Sequence, residues 1–391
     1  MKKTIIFYGI PAYGHICANI YLANKLSQKG YKVIYYATPT YKSLIESNNC
    51  EFRDYNIDDS KINLTDASKI LKLYRLILEY TDKLLPPLLQ DIKQDNPKAI
   101  IFDSLCLWGR IIGEKTNIPH FSFYSIVACD LKTKAGLFSY VPGFSLKFLK
   151  DIKEYNEIKN LKNKISNTYG IKRLKLLDTL MNKGLINFCN YSRTFQPQGY
   201  LFSKSYKFIG PLAVHRKILE KNDFKIDKKV IYVSLGTIFN KNKKLIKKLI
   251  KILKNKEEHM VVLVTPNDKK IKNIPNNFVV RSFVNQKEVM KHASLFISAG
   301  GLNSLHEALF FGVPSLIFPQ QGEQLINAKR FDLLGVGKIH TKRLRKKQIA
   351  SEIDELLNLK INEEIKTKLT KTYVNYAIKL IERTILDGES T

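Results

Sequence analysis

The chain has 391 residues, 44% of them hydrophobic, which is enough to bury two cores and too much for one ordinary domain. Its 65 Lys and Arg against 35 Asp and Glu leave a formal charge of +30, a balance that can attract nucleic acid, anionic lipid or a phosphorylated substrate. The basic residues are mostly Lys, mixed with Asn and Ile through nearly every polar segment, without the aromatic-and-glycine pattern of an RNA-binding sheet or the Cys/His spacing of a DNA-binding finger; no nucleic-acid partner is expected, and a weak association with anionic membrane stays open.

From the amino terminus, "MKKTIIFYGIPAYGHICANIYLA" imitates a secretory signal, but Pro11, Gly14 and His15 interrupt the apolar run early, so a first core strand is expected instead. "TIIFYGI" reads as that strand, followed by a Pro/Gly loop at 11 to 14 and a helix through "IYLANKLSQKG" that Gly30 stops before the strand "KVIYYAT". This is a βαβ opening. "KAIIFDSL" repeats the strand signal with Asp103 near its carboxyl end, and "IPHFSFY" is the next strand; in a parallel open sheet those ends are where ligands bind. From about 140 to 185 the chain turns Lys/Asn-rich and helical, a mixture of solvated helices and a cover for an acceptor. "FIGPLAVHRKILEKNDFKIDKK", 208 to 229, breaks the pattern and is expected to be an interdomain linker between residues 1–207 and 230–370.

A second alternating set begins at "KVIYVSLGT". "KKLIKKLIKILKN" then carries Leu and Ile on one helical face and Lys on the other, a solvated helix surface more readily than a membrane anchor. The strands "MVVLVT", "NFVVRSF", "SLFISAG" and "PSLIFP" follow, and residues 371–391 form an amphipathic segment that can return to the first domain. Two α/β halves on one linker imply a cleft. Cys17, Cys50, Cys106, Cys129 and Cys189 are odd in number and scattered, as reduced thiols of a cytoplasmic protein would be, and no window of 18 apolar residues marks a membrane span.

The stretch "FISAGGLNSLHEALFFGVPSLIFPQQGEQ", 296 to 324, concentrates the chemistry. A strand running into Gly300-Gly301 lets a ligand approach backbone amides, Asn303 or Ser304 can cap the following helix, and its positive end with the Ser304 hydroxyl would favour a diphosphate. Glu307 lies one turn on, within reach of ribose hydroxyls, and Glu323-Gln324 can hydrogen-bond a sugar. No GxxxxGK[ST] loop and no GxGxxG after a strand is present, and His306-Glu307 fails as HExxH because Phe310 stands in the last position; no metal site is expected.

The segment "SFVNQKEVMKHASLFISAGGLNSLHEALFFGVPSLIFPQQGEQLINAKRF" resembles the nucleotide-sugar signature of family 1 glycosyltransferases, in particular the bacterial macrolide-type UDP-glycosyltransferase branch. "YGIPAYGHICANIYLANKLSQKGYKVIYYATP", "FDSLCLWGRIIGEKTNIP" and "SRTFQPQ…FIGP" are similar to that branch's other landmarks, in order, so the resemblance spans nearly the whole chain. It implies an α/β protein of GT-B fold, two Rossmann-like domains facing across a cleft, with metal-independent, inverting transfer and no cofactor beyond the nucleotide-sugar co-substrate. By position, His15 would be the general base and Asp103 its orienting partner. Gly14 and Gly300 would belong to the donor site, Thr237 would meet the diphosphate, Phe283 would lie along the base with Val284 and Gln286 beside it, Gly301, Asn303 and Ser304 would hold phosphate, Glu307 ribose, and Glu323 with Gln324 the sugar. Most members carry His where this chain has Ala299, so one polar contact to the diphosphate is missing.

The expected activity is transfer of a hexose, with UDP-glucose as the expected donor, to a hydroxyl of a small hydrophobic or polyketide-like acceptor. A catalytically idle nucleotide-binding auxiliary subunit and a membrane-surface glycolipid transferase remain as alternatives.

Overall fold

The computed structural model describes residues 2–57, 70–130, 152–171, 174–217, 221–236, 243–266, 268–320, 322–340 and 343–389. The chain divides into two units, one built from residues up to Arg216 together with those from Lys371, the other from Lys217 to Thr370.

In the first unit the strands β1 (Thr4–Tyr8), β2 (Lys32–Ala37), β3 (Glu51–Asp54), β4 (Ala99–Asp103), β5 (His120–Tyr124), β6 (Ile186–Cys189) and β7 (Tyr206–Phe208) form one sheet in the order β3-β2-β1-β4-β5-β6-β7. Every pairing is parallel. Strands buried on both faces read as unbroken apolar runs, and alternation sorts their side chains into two cores. Ile6, Tyr8, Ile100 and Phe102 pack with the helices α3 (Ile70–Asp95) and α4 (Leu107–Thr116), while Ile5, Phe7, Ala99 and Ile101 pack with α1 (Tyr13–Gln28). α2 (Lys42–Glu46), α5 (Ile152–Tyr169) and α6 (Leu176–Leu180) are further helices among the described residues of this unit. Of the expected acceptor cover from about 140 to 185, residues 140–151 and 172–173 lie outside the described residues.

The segment 208–229 is divided rather than a single linker. Phe208 ends β7, Leu212–His215 form a 3-10 turn packed in the first unit, and the boundary falls between Arg216 and Lys217. Gly210 takes φ +80, and a Cβ there would lie 2.0 Å from the Lys371 carbonyl oxygen, so only glycine admits the returning chain. Tyr373 N then donates to Ile209 O at 2.8 Å, and the last helix (Val374–Glu389) buries Ala377, Ile378, Ile381 and Ile385 in the core that α1 shares.

The second unit repeats the plan. β8 (Lys229–Ser234), β9 (His259–Val264), β10 (Phe278–Arg281), β11 (Ala293–Ser298), β12 (Ser315–Ile317) and β13 (Gly337–Ile339) run parallel in the order β10-β9-β8-β11-β12-β13. Both sheets therefore reverse direction of strand growth beside their first strand, the topological switch point at which open α/β sheets bind ligands. α7 (Lys243–Leu253) spends its apolar face on the core through Leu245, Leu249 and Ile252, against Ile349 and Ile353, which leaves Lys243, Lys244, Lys247 and Lys251 exposed. Among the described residues no helix is long and apolar enough to cross a membrane.

Candidate functional site

The switch point of the first unit lies between β1 and β4. The chain leaves β1 through Gly9, where a Cβ would come within 2.8 Å of the Tyr35 ring, and enters α1 at Tyr13. Gly14 is exposed and His15 sits in the first turn, its N–H donating to Ala12 O at 3.0 Å. Asp103 closes β4, paired in register with β1 through Tyr8 and Phe102. These two elements bring His15 Nδ1 to 2.8 Å from Asp103 Oδ2, across 88 residues of sequence. The carboxylate is fully buried, whereas the imidazole is 16% exposed.

An ionised carboxylate only accepts, so Nδ1 carries the ring proton and Nε2 is the nitrogen able to take one from a ligand. The same Oδ2 accepts from Ser125 Oγ at 2.7 Å, and Oδ1 accepts from Leu105 N at 3.0 Å. Three donors around one carboxylate make its burial tolerable and fix its plane. Ser125 was not among the residues expected from the sequence; its only signal was a hydroxyl immediately after "HFSFY", at the carboxyl end of the strand beside β4.

In the second unit β11 ends at Ser298 and α9 (Leu302–Phe310) begins four residues later, across Ala299, Gly300 and Gly301. Neither Asn303 nor Ser304 caps this helix, against expectation: Gly301 is the capping residue, no side chain caps it, and Asn303 and Ser304 already lie in the first turn. The geometry explains the difference, because the cap must have extended backbone and Gly301 has φ −63, ψ 127. Gly300 takes φ +96. Its N–H donates to Ser298 Oγ at 3.1 Å, and its carbonyl accepts from Asn327 Nδ2 at 3.0 Å. Ala299 is buried.

Glu307 is fully buried, and its Oε2 accepts from Gln286 Nε2 at 2.5 Å. Gln286 also reaches Ser304 Oγ at 3.3 Å and accepts from Tyr232 OH at 3.3 Å, so the expected phosphate, ribose and base positions form one hydrogen-bonded cluster. Gln286 opens α8 (Gln286–Lys291), which Asn285 caps by accepting from Glu288 N at 3.2 Å; Asn222 in turn accepts from Asn285 N at 2.7 Å. Val284 is buried and Phe283 is 55% exposed. Glu323 is half-buried at the start of α10 (Gly322–Leu333), while Gln324 is buried with Oε1 accepting from Gln320 N at 2.9 Å. Thr237 lies outside the described residues. Tyr232, Asn222, Asn285 and Asn327 were missed in the sequence; Asn327, three residues after Gln324 on one helix face, had the clearest spacing signal.

His306 is a core residue, not a ligand. Its Nδ1 is 3.1 Å from Leu302 O, its ring packs against Phe331, and burial lowers its pKa to about 4. Between pH 6.5 and 4 the unfolded chain binds a proton at this residue that the folded chain refuses, so stability is full above 6.5 and falls with pH through that window, by on the order of 3 kcal/mol. Thermal unfolding from pH 7 to 4 should show this fall, and His306→Leu should flatten it. Among the described residues no group of three or more His, Cys, Asp or Glu side chains is placed to hold a metal ion. All five cysteines are buried free thiols.

Comparison with known proteins adds to this geometry. The family model described as UDP-glucoronosyl and UDP-glucosyl transferase matches residues 15–386. NDP-glycosyltransferase YjiC of Bacillus subtilis (strain 168) is 32% identical over 349 residues, 86% of this chain and 84% of its own. The uncharacterized UDP-glucosyltransferase YojK of the same organism is 28% identical over 368 residues, 91% and 89% of the two chains. Among solved structures, the glycotransferase of kitacinnamycin superposes with a TM-score of 0.83 at 20% identity, covering 98% of this chain and all of that one. That likeness establishes the fold.

Proposed function

The chain belongs to the UDP-glucoronosyl and UDP-glucosyl transferase family and is a glycosyltransferase; from that premise we propose that it transfers glucose from UDP-glucose to a hydroxyl of a small hydrophobic, polyketide-like acceptor, with inversion and without a metal ion. The observation that carries the reading is the His15–Asp103 pair, a partly exposed imidazole held at 2.8 Å by a fully buried carboxylate at a switch point.

The chemistry follows from the groups. An acceptor hydroxyl is a weak nucleophile at neutral pH, and His15 Nε2 takes its proton as the oxygen attacks the anomeric carbon. Asp103 stabilises the imidazolium that results. A single displacement forms the new glycosidic bond while the bond to the diphosphate breaks, its electron pair leaving on phosphate oxygen, so the configuration inverts. The departing charge meets the amino terminus of α9 and the Ser304 hydroxyl. The ribose hydroxyls replace the Gln286 amide on Glu307, the base lies along the exposed Phe283 ring, and Glu323 with Gln324 holds the sugar.

The test is incubation with UDP- and thymidine-diphosphate sugars and a panel of small hydroxylated acceptors, read by mass spectrometry. A hexose addition that requires UDP-glucose is expected; turnover with a thymidine-linked sugar and none with UDP-glucose would overturn the donor assignment. Ser125→Ala should lower kcat about tenfold with both KM values within twofold, since a hydrogen bond to a charged acceptor is worth about 1.5–3 kcal/mol. Steady-state rates check it, and an unchanged kcat would relieve Ser125 of any part in holding Asp103.

A further inference from the structure

We propose that Asn327 is the positioning residue of the donor site: its buried amide aims the Gly301 N–H and ties the sugar-side helix to the phosphate turn. The inference rests on the donor reading of that turn given above. A trans peptide points its C=O and the following N–H in opposite directions. Asn327 Nδ2 grips the Gly300 oxygen at 3.0 Å, so the Gly301 N–H is directed away from Asn327. Ser298 Oγ holds the preceding peptide through Gly300 N. Both peptide planes of the left-handed Gly300 are therefore set by side chains, and nothing lies within 4 Å of the position a Cβ would take on the exposed Gly301.

Asn327 is fully buried, and its Oδ1 has no hydrogen-bond partner among the described residues. An apolar side chain of the same size would avoid burying that oxygen, so the amide is explained by the bond it makes to Gly300 and not by core packing. The same helix carries Glu323 and Gln324, and the Gln324 carbonyl oxygen and Ile317 Cγ2 each stand 3.0 Å from where a Gly300 Cβ would be. One side chain thus registers the groups proposed for the sugar against the amide proposed for the diphosphate.

The experiment is calorimetric titration of the full-length protein and of Asn327→Asp with UDP and with thymidine diphosphate, together with steady-state kinetics. Aspartate keeps the shape but sets an acceptor against the Gly300 carbonyl. The dissociation constant of the nucleotide and the donor KM should rise about tenfold or more, with acceptor KM unchanged. A merely structural role would lower the active fraction, and so apparent kcat, with both KM values intact; that result, or unchanged nucleotide affinity in the folded variant, overturns the inference. Should Asn327→Asp fail to fold, Asn327→Ser, too short to reach Gly300, is read by the same criteria. Should both fail, amide exchange in the unaltered protein decides: residues 299–302 and 323–327 must open together, and separate opening overturns the tie. An unaltered protein that binds neither nucleotide overturns the donor reading itself, and the inference with it.

Discussion

His15→Asn should lower kcat by about 10²–10⁴-fold while nucleotide affinity stays within twofold of the unaltered protein. The asparagine amide is too weak a base to take the hydroxyl proton, and His15 belongs to the first unit whereas Gln286, Ser304 and Glu307 belong to the second. Asp103→Asn should cost a comparable factor by a different route. An amide nitrogen facing Nδ1 would turn the imidazole to the other tautomer, with its proton on Nε2, where it cannot accept another; in a serine protease triad the same exchange costs about 10⁴-fold. Because Asp103 also accepts from Ser125 and Leu105 N, its replacement leaves buried donors facing a poorer acceptor and should lower thermal stability as well. The measurement is kcat and donor and acceptor KM for both variants, with calorimetry for the nucleotide. If His15→Asn kept its rate, the proton would have to leave by another group.

Gly300→Ala and Gly301→Ala should separate two uses of glycine in the phosphate turn. At Gly300 an L side chain meets φ +96 and two atoms at 3.0 Å, the Gln324 carbonyl oxygen and Ile317 Cγ2. Holding a non-glycine residue in that conformation costs on the order of 1–3 kcal/mol, so both stability and nucleotide affinity should fall. At Gly301 the backbone is ordinary and a Cβ meets nothing within 4 Å. Gly301→Ala should leave the melting temperature within about a degree, since surface substitutions free of such features stay within roughly 0.5 kcal/mol. It should still weaken nucleotide binding about tenfold, because the methyl would stand where a ligand approaches the amide. Thermal unfolding and calorimetry on the two variants check this. Equal nucleotide affinity in Gly301→Ala would mean that no ligand comes near that backbone.

Much of the fold could be read locally. The strands β1, β2, β4, β5, β8 and β11 announce themselves because a strand covered on both faces is apolar throughout. The short strands β3, β6, β7 and β13 carry three or four residues each and no comparable run, so only their pairing reveals them. The stretch 208–229 reads as a linker from its Gly-Pro and charges, yet it is divided because Gly210 accommodates a chain that returns from residue 371. The helix cap fell to Gly301 instead of Asn303 or Ser304 because backbone conformation, not side-chain type, decides which residue stands at the helix threshold.

What the sequence determined by itself is the placing of reactive types at strand ends: His15 after the first strand, Asp103 near the close of "KAIIFDSL", paired glycines after the strand "SLFIS". Periodicity and turn residues are local, and they suffice for that. The tertiary structure alone decided who meets whom. Ser125 and His15 share one oxygen of Asp103, Gln286 bridges Glu307 and Ser304, and Asn327 grips Gly300. Each of those contacts joins residues 18 to 88 positions apart, and each follows from strand order and helix register, which no single window of sequence contains.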